Sequence, residues 1–336
     1  MHEIRSRALG ALCGLAIGDA LGMPTQSLPR AEVVARYGPL VSGFRPGPAG
    51  HPLAAGLPAG TVTDDTEQAV LLAGLLVAGD GEVSAAALAR DLLAWEESMR
   101  ARGSLDLLGP STRRALAALA AGTGAAEAGR HGVTNGAAMR VTPVGIATSA
   151  RDPRLLEDRV VAASRLTHNT GVALAGAAAV AAAVSAGIDG EPLPAAIRRA
   201  VAAAASAAGR GHWAAGADVA TRITWATGLI AGLPQGQVIG TVYRLVGTSL
   251  ATQESVPAAF AVAAAVPGDP WLACRTAASL GGDCDTIAAM TGAILGACHG
   301  ADAFPAAARA TVARINGLDL GPLADNLLAI RDAGHD

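Results

Sequence analysis

Long runs of small apolar residues, interrupted by glycine and proline, most constrain what this chain can fold into. In the first run, residues 6–21, apolar side chains recur at helical spacing, and Gly10, Gly14 and Gly18 leave room for a close neighbour. Hydrophobic residues make up 51% of the 336-residue chain but aromatic residues only 3%, so Ala, Leu and Val must build the core. Side chains this small favour closely packed helices, and no convincing strand pattern is present. The sequence predicts an all-α fold in one domain spanning residues 1–336.

The run 172–188 is long and uncharged enough to raise the question of a membrane span. It consists mostly of alanine, which adds little to membrane partitioning, and it lacks the basic or aromatic flanks typical of an interface. We therefore expect a buried central helix and no membrane association. Glycine and proline breakers divide the following chain into predicted helices at about 193–208, 212–231, 238–250, 254–266 and 270–280.

Two short segments place paired carboxylates and threonine at the start of an apolar helix. They are Thr63-Asp64-Asp65-Thr66, which follows the proline- and glycine-rich stretch 22–60, and Gly281-Gly282-Asp283-Cys284-Asp285-Thr286. Either segment alone is explained by helix capping, because Thr and Asp accept hydrogen bonds from the free N–H groups of a first turn. Carboxylate and hydroxyl oxygens are also the ligands that Mg²⁺ and Mn²⁺ prefer. The pair predicts one two-metal site that folding closes.

Polar residues between these segments have both structural and functional interpretations. Asp106 lies in a loop and by itself fits a capping residue as well as an acid catalyst. Asn135-Gly136 is a common turn, although free N–H groups before the apolar run 137–147 suit an anion such as a diphosphate. Arg140 fits a phosphate ligand or a structural partner equally. His168, at a helix junction, is by itself more typical of a satisfied structural residue.

Several of these segments, in this order, resemble the ADP-ribosylglycohydrolase family, which includes dinitrogenase reductase-activating glycohydrolase and the ADP-ribosyl-arginine and ADP-ribosyl-serine hydrolases. The resemblance covers nearly the whole chain and rests on residues 18–22, 63–66, Asp106 with Gly109 and the Arg113-Arg114 pair, 135–140, 167–169 and 281–286. It implies a compact orthogonal bundle of helices that binds two Mg²⁺ or Mn²⁺ ions. It also implies hydrolysis of a glycosidic bond to the ribose of ADP-ribose.

Matched residue by residue, the resemblance assigns three kinds of site residue. The implied metal ligands are Thr63, Asp64, Asp65, Asp283, Asp285 and Thr286. The implied catalytic residues are Asp106, which matches a carboxylate proposed to transfer protons at the ribose, together with Asp65 and Gln26. The residues that match substrate-contacting loops are Asn135, Gly136, Met139, Arg140 and His168.

Gln26 departs from the family pattern. Four residues after Gly22 the family usually has a glutamate near the metals that is implicated in catalysis. An amide accepts a hydrogen bond but cannot act as a base. The departure keeps open a catalytically silent ADP-ribose-binding or structural relative as an alternative to an enzyme.

Charge and cysteine content exclude other classes of function. The net charge is −3 and no cluster of Lys and Arg with interleaved aromatics occurs, so we expect no nucleic-acid partner. No C-x-x-C pair is present, and the cysteines lie mostly in apolar runs, which favours reduced thiols in a cytoplasmic protein; they are Cys13, Cys274, Cys284 and Cys298.

The sequence thus predicts a metal-dependent glycosidase that uses two divalent cations, Mg²⁺ or Mn²⁺. Its expected substrate is an ADP-ribosylated protein or a small ADP-ribosyl or ribosyl conjugate. A glycosidase of small ribosides or nucleotides and a metal-dependent phosphohydrolase use the same oxygen ligands, and both remain alternatives at this point.

Overall fold

The computed structural model describes residues 2–105 and 107–333, and the regular secondary structure within them is helical. A π-helical turn, Val242–Val246, and a 3₁₀ turn, Ala301–Ala303, interrupt the α-helices. The described residues contain no strand, only two isolated β-bridges. The helices are α1 His2–Gly22, α2 Arg30–Tyr37, α3 Asp64–Ala78, α4 Ala85–Ala101, α5 Pro110–Ala120, α6 Ala125–Ala128, α7 Gly136–Arg140, α8 Thr142–Ala147, α9 Pro153–Ser164, α10 Gly171–Ile188, α11 Leu193–Ala207, α12 Val219–Ile230, α13 Gln235–Thr241, α14 Thr252–Ala265, α15 Pro270–Ala278, α16 Cys284–His299, α17 Ala306–Asn316 and α18 Leu320–Ala333.

The all-α prediction is confirmed, but some helix boundaries differ from the expectation. The helix expected at 212–231 begins only at Val219, because the Asp218 side chain caps it by accepting from the backbone N–H of Thr221 at 2.7 Å. The helix expected at 238–250 stops at the π-helical turn, where Gly247 takes a φ of +92°. This early end frees residues 248–251 to form part of a cleft.

Helices α1 and α16 cross at the centre of the fold, and glycines set their separation. A Cβ atom on Gly14 would lie 2.1 Å from the carbonyl oxygen of Gly292, and one on Gly18 would lie 2.0 Å from that of Ala288. No side chain fits at these positions, which agrees with the close neighbour expected from the glycine spacing. The crossing carries the C-terminal end of α1 to the N-terminal end of α16.

Helix α10 is the predicted central helix. It is long and apolar enough to cross a membrane by length and composition, but 89% of its residues are buried inside the protein. It packs against α8, α11 and α16, with alanine on nearly every face. One continuous cluster of buried apolar side chains extends from α1 to α18.

The proline- and glycine-rich stretch between α1 and α3 is ordered against the rest of the fold. Its residues 47–57 form a compact loop whose ends meet, since the Gly47 N–H donates to the Leu57 carbonyl at 2.9 Å. Leu53 of this loop lines the cleft.

Candidate active site

Asp19, from α1, fixes the start of α3. Its carboxylate accepts hydrogen bonds from the backbone N–H of Thr63 at 2.9 Å and from the Thr63 hydroxyl at 2.8 Å. It also accepts from the N–H and the hydroxyl of Thr66 at 3.1 and 2.5 Å. Burial raises the pKa of Asp19 to about 6, although these hydrogen bonds oppose the shift. Helix α3 is therefore capped largely by a carboxylate of another helix, which also orients both threonines.

The fold brings the two acidic segments into direct contact. The Thr286 hydroxyl, at the start of α16, donates to Oδ2 of Asp65, at the start of α3, at 3.2 Å. Close packing at the end of α1 supports this meeting, because a Cβ on Gly22 would lie 2.2 Å from the Cα of Asp285. Three helix ends thus converge on one group of oxygen atoms.

This group carries more negative charge than its hydrogen bonds balance. Burial, and then the negative charges of Asp285, Asp19, Asp64 and Asp283, raise the pKa of Asp65 well above its ordinary value. Oδ1 of Asp65 is buried and has no hydrogen-bond partner among the described residues. Burial also raises the pKa of Asp283 to about 6, and hydrogen bonds from Asn135 and Thr286 oppose this shift. A bound cation would relieve both the repulsion and the unsatisfied oxygen.

The chemistry of these groups fits a hard divalent cation. Within residues 2–105 and 107–333, no three His, Cys, Asp or Glu side chains form a metal-binding group by themselves. Mg²⁺ usually keeps several waters and takes only one or two carboxylates, so hydroxyl and water oxygens would complete its ligands. Burial, and then the charge of Asp285, raises the pKa of the Cys284 thiol, which therefore stays protonated and is not suited to binding metal.

A cleft of about 690 Å³ opens above the acidic group. Asp64, Asp283, Asp285 and Thr286 line it, whereas Thr63 and Asp65 lie buried behind the lining. The other walls come from the starts of α5 and α7 and from residues 248–251. Its volume falls within the range typical of small-molecule sites, which is about 300–1,000 Å³.

Four of the five expected substrate-binding residues line this cleft: Asn135, Gly136, Met139 and His168. The Asn135 side-chain amide donates to Oδ2 of Asp283 at 2.5 Å and to the Ser255 hydroxyl at 3.0 Å. Asn135 therefore orients one of the acidic residues as well as facing the cleft.

Arg140, the fifth of these residues, lies behind the cleft wall. Its guanidinium is buried and donates to the Gln68 side-chain oxygen at 3.2 Å and to the Thr167 hydroxyl at 2.5 Å. Burial lowers the pKa of Arg140 to about 10, so it remains charged at neutral pH. Of the two interpretations left open by the sequence, these contacts favour a structural role.

His168 is held in one tautomer. Its Nδ1 lies 2.7 Å from the Thr167 hydroxyl and its Nε2 lies 3.0 Å from the Thr134 hydroxyl. The Thr134 hydroxyl donates its proton to Ser111 and therefore accepts from the ring, which places the ring proton on Nε2 and leaves Nδ1 as an acceptor. Burial, and then the charge of Arg140, lowers the pKa of His168 well below its ordinary value, so the ring is neutral. The ring also lies against Gly136, where a Cβ would approach Cε1 to 2.9 Å.

Three cleft residues were not assigned from the sequence. Arg113 of α5 supplies the only formal positive charge among the described residues that line the cleft. Thr112 and Thr248 are only 3% and 7% exposed, line the cleft, and make no side-chain hydrogen bond within the described part of the chain. Arg113 belongs to a motif quoted for the family, but no local pattern distinguishes Thr248.

The two remaining catalytic expectations have different outcomes. Asp106 lies outside the described residues. Gln26 lines the cleft and is only 5% exposed, and its side-chain Nε2 is buried with no hydrogen-bond partner among the described residues. The backbone carbonyl of Gln26 accepts a hydrogen bond from His51 at 2.8 Å.

Comparison with known proteins gives concordant results. The sequence pattern named ADP-ribosylglycohydrolase matches residues 1–335. The uncharacterized protein YegU of Escherichia coli K12 is 37% identical over 326 residues, covering 97% of both chains. The ADP-ribosyl-[dinitrogen reductase] glycohydrolase of Rhodospirillum rubrum is 34% identical over 168 residues, covering 50% of this chain and 53% of that one. A solved structure described as an ADP-ribosylglycohydrolase-related protein complex superposes with a TM-score of 0.70 at 27% identity, covering 99% of both chains.

Proposed function

The chain belongs to the ADP-ribosylglycohydrolase family, and from this premise we propose that its acidic cleft uses Mg²⁺ or Mn²⁺ to release ADP-ribose from a conjugate. Family membership makes the protein a glycosidic hydrolase that acts on ADP-ribose linkages. The proposal adds the dependence on metal ions and the nature of the conjugate.

One observation supports the proposed metal dependence: the Thr286 hydroxyl donates to Asp65. This contact joins the starts of two helices, each with carboxylates in or next to its first turn, beside the cleft. Four carboxylates of these segments share the cluster, and the buried Oδ1 of Asp65 lacks a hydrogen-bond partner in the described structure. Divalent cations held there by Thr63, Asp64, Asp65, Asp283, Asp285 and Thr286 would fix the ribose hydroxyls and stabilise the charge that develops as the anomeric bond breaks.

The other cleft residues supply binding and proton transfer in this proposal. The Arg113 guanidinium and the Thr112 hydroxyl offer donors to a diphosphate, and leucines such as Leu105 and Leu250 offer an apolar surface to a base. Asn135 orients the carboxylate of Asp283 by donating to its Oδ2. We assign proton transfer at the ribose to Asp106, as the family resemblance implies.

The conjugate is proposed to be a modified protein side chain or a small ADP-ribosyl compound in the cytoplasm. The name of the Rhodospirillum relative specifies an ADP-ribosylated protein, which supports the first of these. The leaving group would then be a guanidino nitrogen or a hydroxyl of that side chain.

Titration calorimetry tests the proposal in two steps. Metal-stripped protein is titrated with Mg²⁺ and with Mn²⁺, and then with ADP-ribose in the presence of the ion that binds more tightly. We expect metal binding and ADP-ribose binding that requires the metal. Release of ADP-ribose from arginine- and serine-linked ADP-ribosyl peptides is then measured with the same protein.

The variant Asp65→Asn should lower metal affinity and rate by at least about 100-fold, since even the partners of metal ligands contribute about 10- to 100-fold. Asp80→Asn, in the exposed turn that follows the same helix, is the matched control and should change neither quantity. Equal metal binding and activity in Asp65→Asn and the wild type would disprove the assigned site. Metal-dependent ADP-ribose binding without release from any conjugate would instead favour the silent relative that Gln26 leaves open.

A further inference from the structure

His51 lies at the centre of the compact loop 47–57 and is only 4% exposed. The loop is closed by the hydrogen bond from the Gly47 N–H to the Leu57 carbonyl, and within it the His51 N–H donates to the Pro48 carbonyl at 3.0 Å. Compact loops of this size, packed around their own side chains, are frequently functional. The imidazole of His51 is therefore an internal contact of this loop.

Both ring nitrogens of His51 are used, and on opposite sides. Nδ1 accepts from the backbone N–H groups of Leu53 at 3.1 Å and Ala54 at 2.8 Å. Since Nδ1 accepts, the ring proton is on Nε2, which donates to the carbonyl oxygen of Gln26 at 2.8 Å. One neutral tautomer satisfies all three hydrogen bonds.

These bonds connect two separate parts of the cleft wall. Leu53 lines the cleft from the loop, and Gln26 lines it from the turn after α1. The turn is also fixed on its other side, because the Ser27 N–H donates to the Gly282 carbonyl at 2.7 Å. Gln26 thus sits between the ring of His51 and the glycine turn that leads into Asp283.

We propose that His51 is a positioning residue of the active site: its neutral ring holds loop 47–57 onto the backbone of Gln26 and thereby fixes the spacing between Leu53 and Gln26 along the cleft wall. The residue does not touch substrate and acts through these two. The expected effect of His51 on ligand binding rests on the proposed function.

The surroundings of His51 keep its ring neutral. Burial lowers the pKa of His51, and the hydrogen bond to Gln26 only partly opposes this. The charged groups that face it, Arg36 and Glu32 of α2, pair with each other at 2.5 Å and largely cancel. A protonated ring would carry a proton on Nδ1 and could no longer accept from Leu53 and Ala54.

Two substitutions separate the two sides of the ring. In His51→Asn the side-chain oxygen occupies the place of Nδ1 and can still accept from the loop, but nothing reaches Gln26. In His51→Gln the longer amide can donate to Gln26, whereas the acceptor for Leu53 and Ala54 is lost. His299→Asn is the matched control, because the exposed His299 also contacts a backbone carbonyl, that of Pro267 at 2.7 Å, and does not line the cleft.

Hydrogen exchange resolved to single amides is measured together with the dissociation constant for ADP-ribose and, with an ADP-ribosyl peptide, kcat and KM. We expect His51→Asn to keep the protection of the Leu53 and Ala54 amides. Because the Gln26 carbonyl loses its donor, exchange at the Ser27 amide should become faster and ADP-ribose binding should weaken by about three- to tenfold, the effect of one hydrogen bond. KM should rise while kcat changes little. His51→Gln should restore Ser27 protection and expose the amides of Leu53 and Ala54.

An unchanged exchange rate of the Ser27 amide in His51→Asn would overturn the inference. So would an equally large change of that rate in the control His299→Asn. If the wild-type protein does not bind ADP-ribose in Mg²⁺ or Mn²⁺, the proposed function fails, and the exchange rates of Ser27 in the two His51 variants still decide whether His51 positions Gln26.

Discussion

Asp19 and Asp65 are fully buried carboxylates of one cluster, yet their surroundings give them different roles. Asp19 accepts four hydrogen bonds from Thr63 and Thr66. Oδ1 of Asp65 has no hydrogen-bond partner among the described residues and lies among like charges. A buried carboxylate that the protein satisfies completely is a structural element, whereas an unsatisfied one is suited to a group that the protein does not supply. The sequence leaves open whether such carboxylates cap a helix or take part in chemistry. Their hydrogen bonds suit Asp19 to capping and Asp65 to chemistry.

His168 gives a prediction about pH at the residue scale. Its pKa is well below the ordinary value in the folded protein, so the ring stays neutral there, while in the unfolded chain it protonates below about pH 6.5. Its contribution to stability is therefore present above that pH and lost below it, by about 1.4 kcal/mol per pH unit. The destabilisation caused by His168→Gln should therefore shrink as the pH falls from 7 to 5, by up to about 1.2 kcal/mol between pH 6 and pH 5.

Urea unfolding of the wild type and His168→Gln at pH 7, 6 and 5 measures this change. The buried aspartates, whose pKa values are raised, stabilise the folded state as the pH falls, but they do so in both proteins and cancel in the difference. A difference in unfolding free energy that is the same at all three pH values would contradict the neutral, buried ring.

At the scale of helices, the crossing of α1 and α16 is the contact that places the site. Gly18 lies one residue before Asp19, and Gly22, at the end of the same helix, lies against Asp285. The glycines therefore do more than allow close packing: they set the distance between the residue that caps α3 and the first turn of α16.

Gly18→Ala should destabilise the protein by about 3 kcal/mol or more, because its Cβ would meet the Ala288 backbone oxygen at 2.0 Å and the two helices would have to separate. Gly74→Ala is the control: Gly74 is an exposed residue within α3, a Cβ there has nothing within 4 Å, and alanine favours the helix by about 1 kcal/mol. Urea unfolding of both variants should give shifts of opposite sign. A small loss in Gly18→Ala would mean that the crossing is not rigid.

At the scale of the whole molecule, one continuous apolar core extends from α1 to α18, and the single domain expected from the sequence stays a prediction. Helices α3 and α16 supply opposite sides of the acidic group although Asp65 and Thr286 lie 221 residues apart in the chain. A cation bound between them would therefore stabilise the entire fold rather than one segment of it.

We predict one unfolding transition that Mg²⁺ or Mn²⁺ moves as a whole. Circular dichroism at 222 nm and tryptophan fluorescence should give the same midpoint, and that midpoint should rise with cation concentration in the wild type but not in Asp65→Asn. At a cation concentration about 100 times the dissociation constant, the gain should be about 2.7 kcal/mol. Two separate transitions, of which only one responds to the cation, would argue against a single domain.

The sequence by itself determined the elements of this protein. Helix starts and stops depend on local capping, spacing and breakers, so α10 and α11 and the positions of both acidic segments at helix starts could be predicted, and the ordered motifs identified the family. Where local signals competed, as at the start of α12, the expected boundary was several residues off because Asp218, rather than the preceding glycine turn, caps the helix.

Only the tertiary structure decided which side chains share the cleft. Arg140 lies behind the cleft wall, whereas Arg113 lines the cleft. The Thr286 hydroxyl donates to Asp65, and the ring of His51 donates to the backbone carbonyl of Gln26. These outcomes depend on how closely α1 and α16 cross and on which face of each helix the crossing directs toward the site. Contacts between residues tens to hundreds of positions apart leave no periodic signal in a single sequence, because each is set by the packing of the whole core.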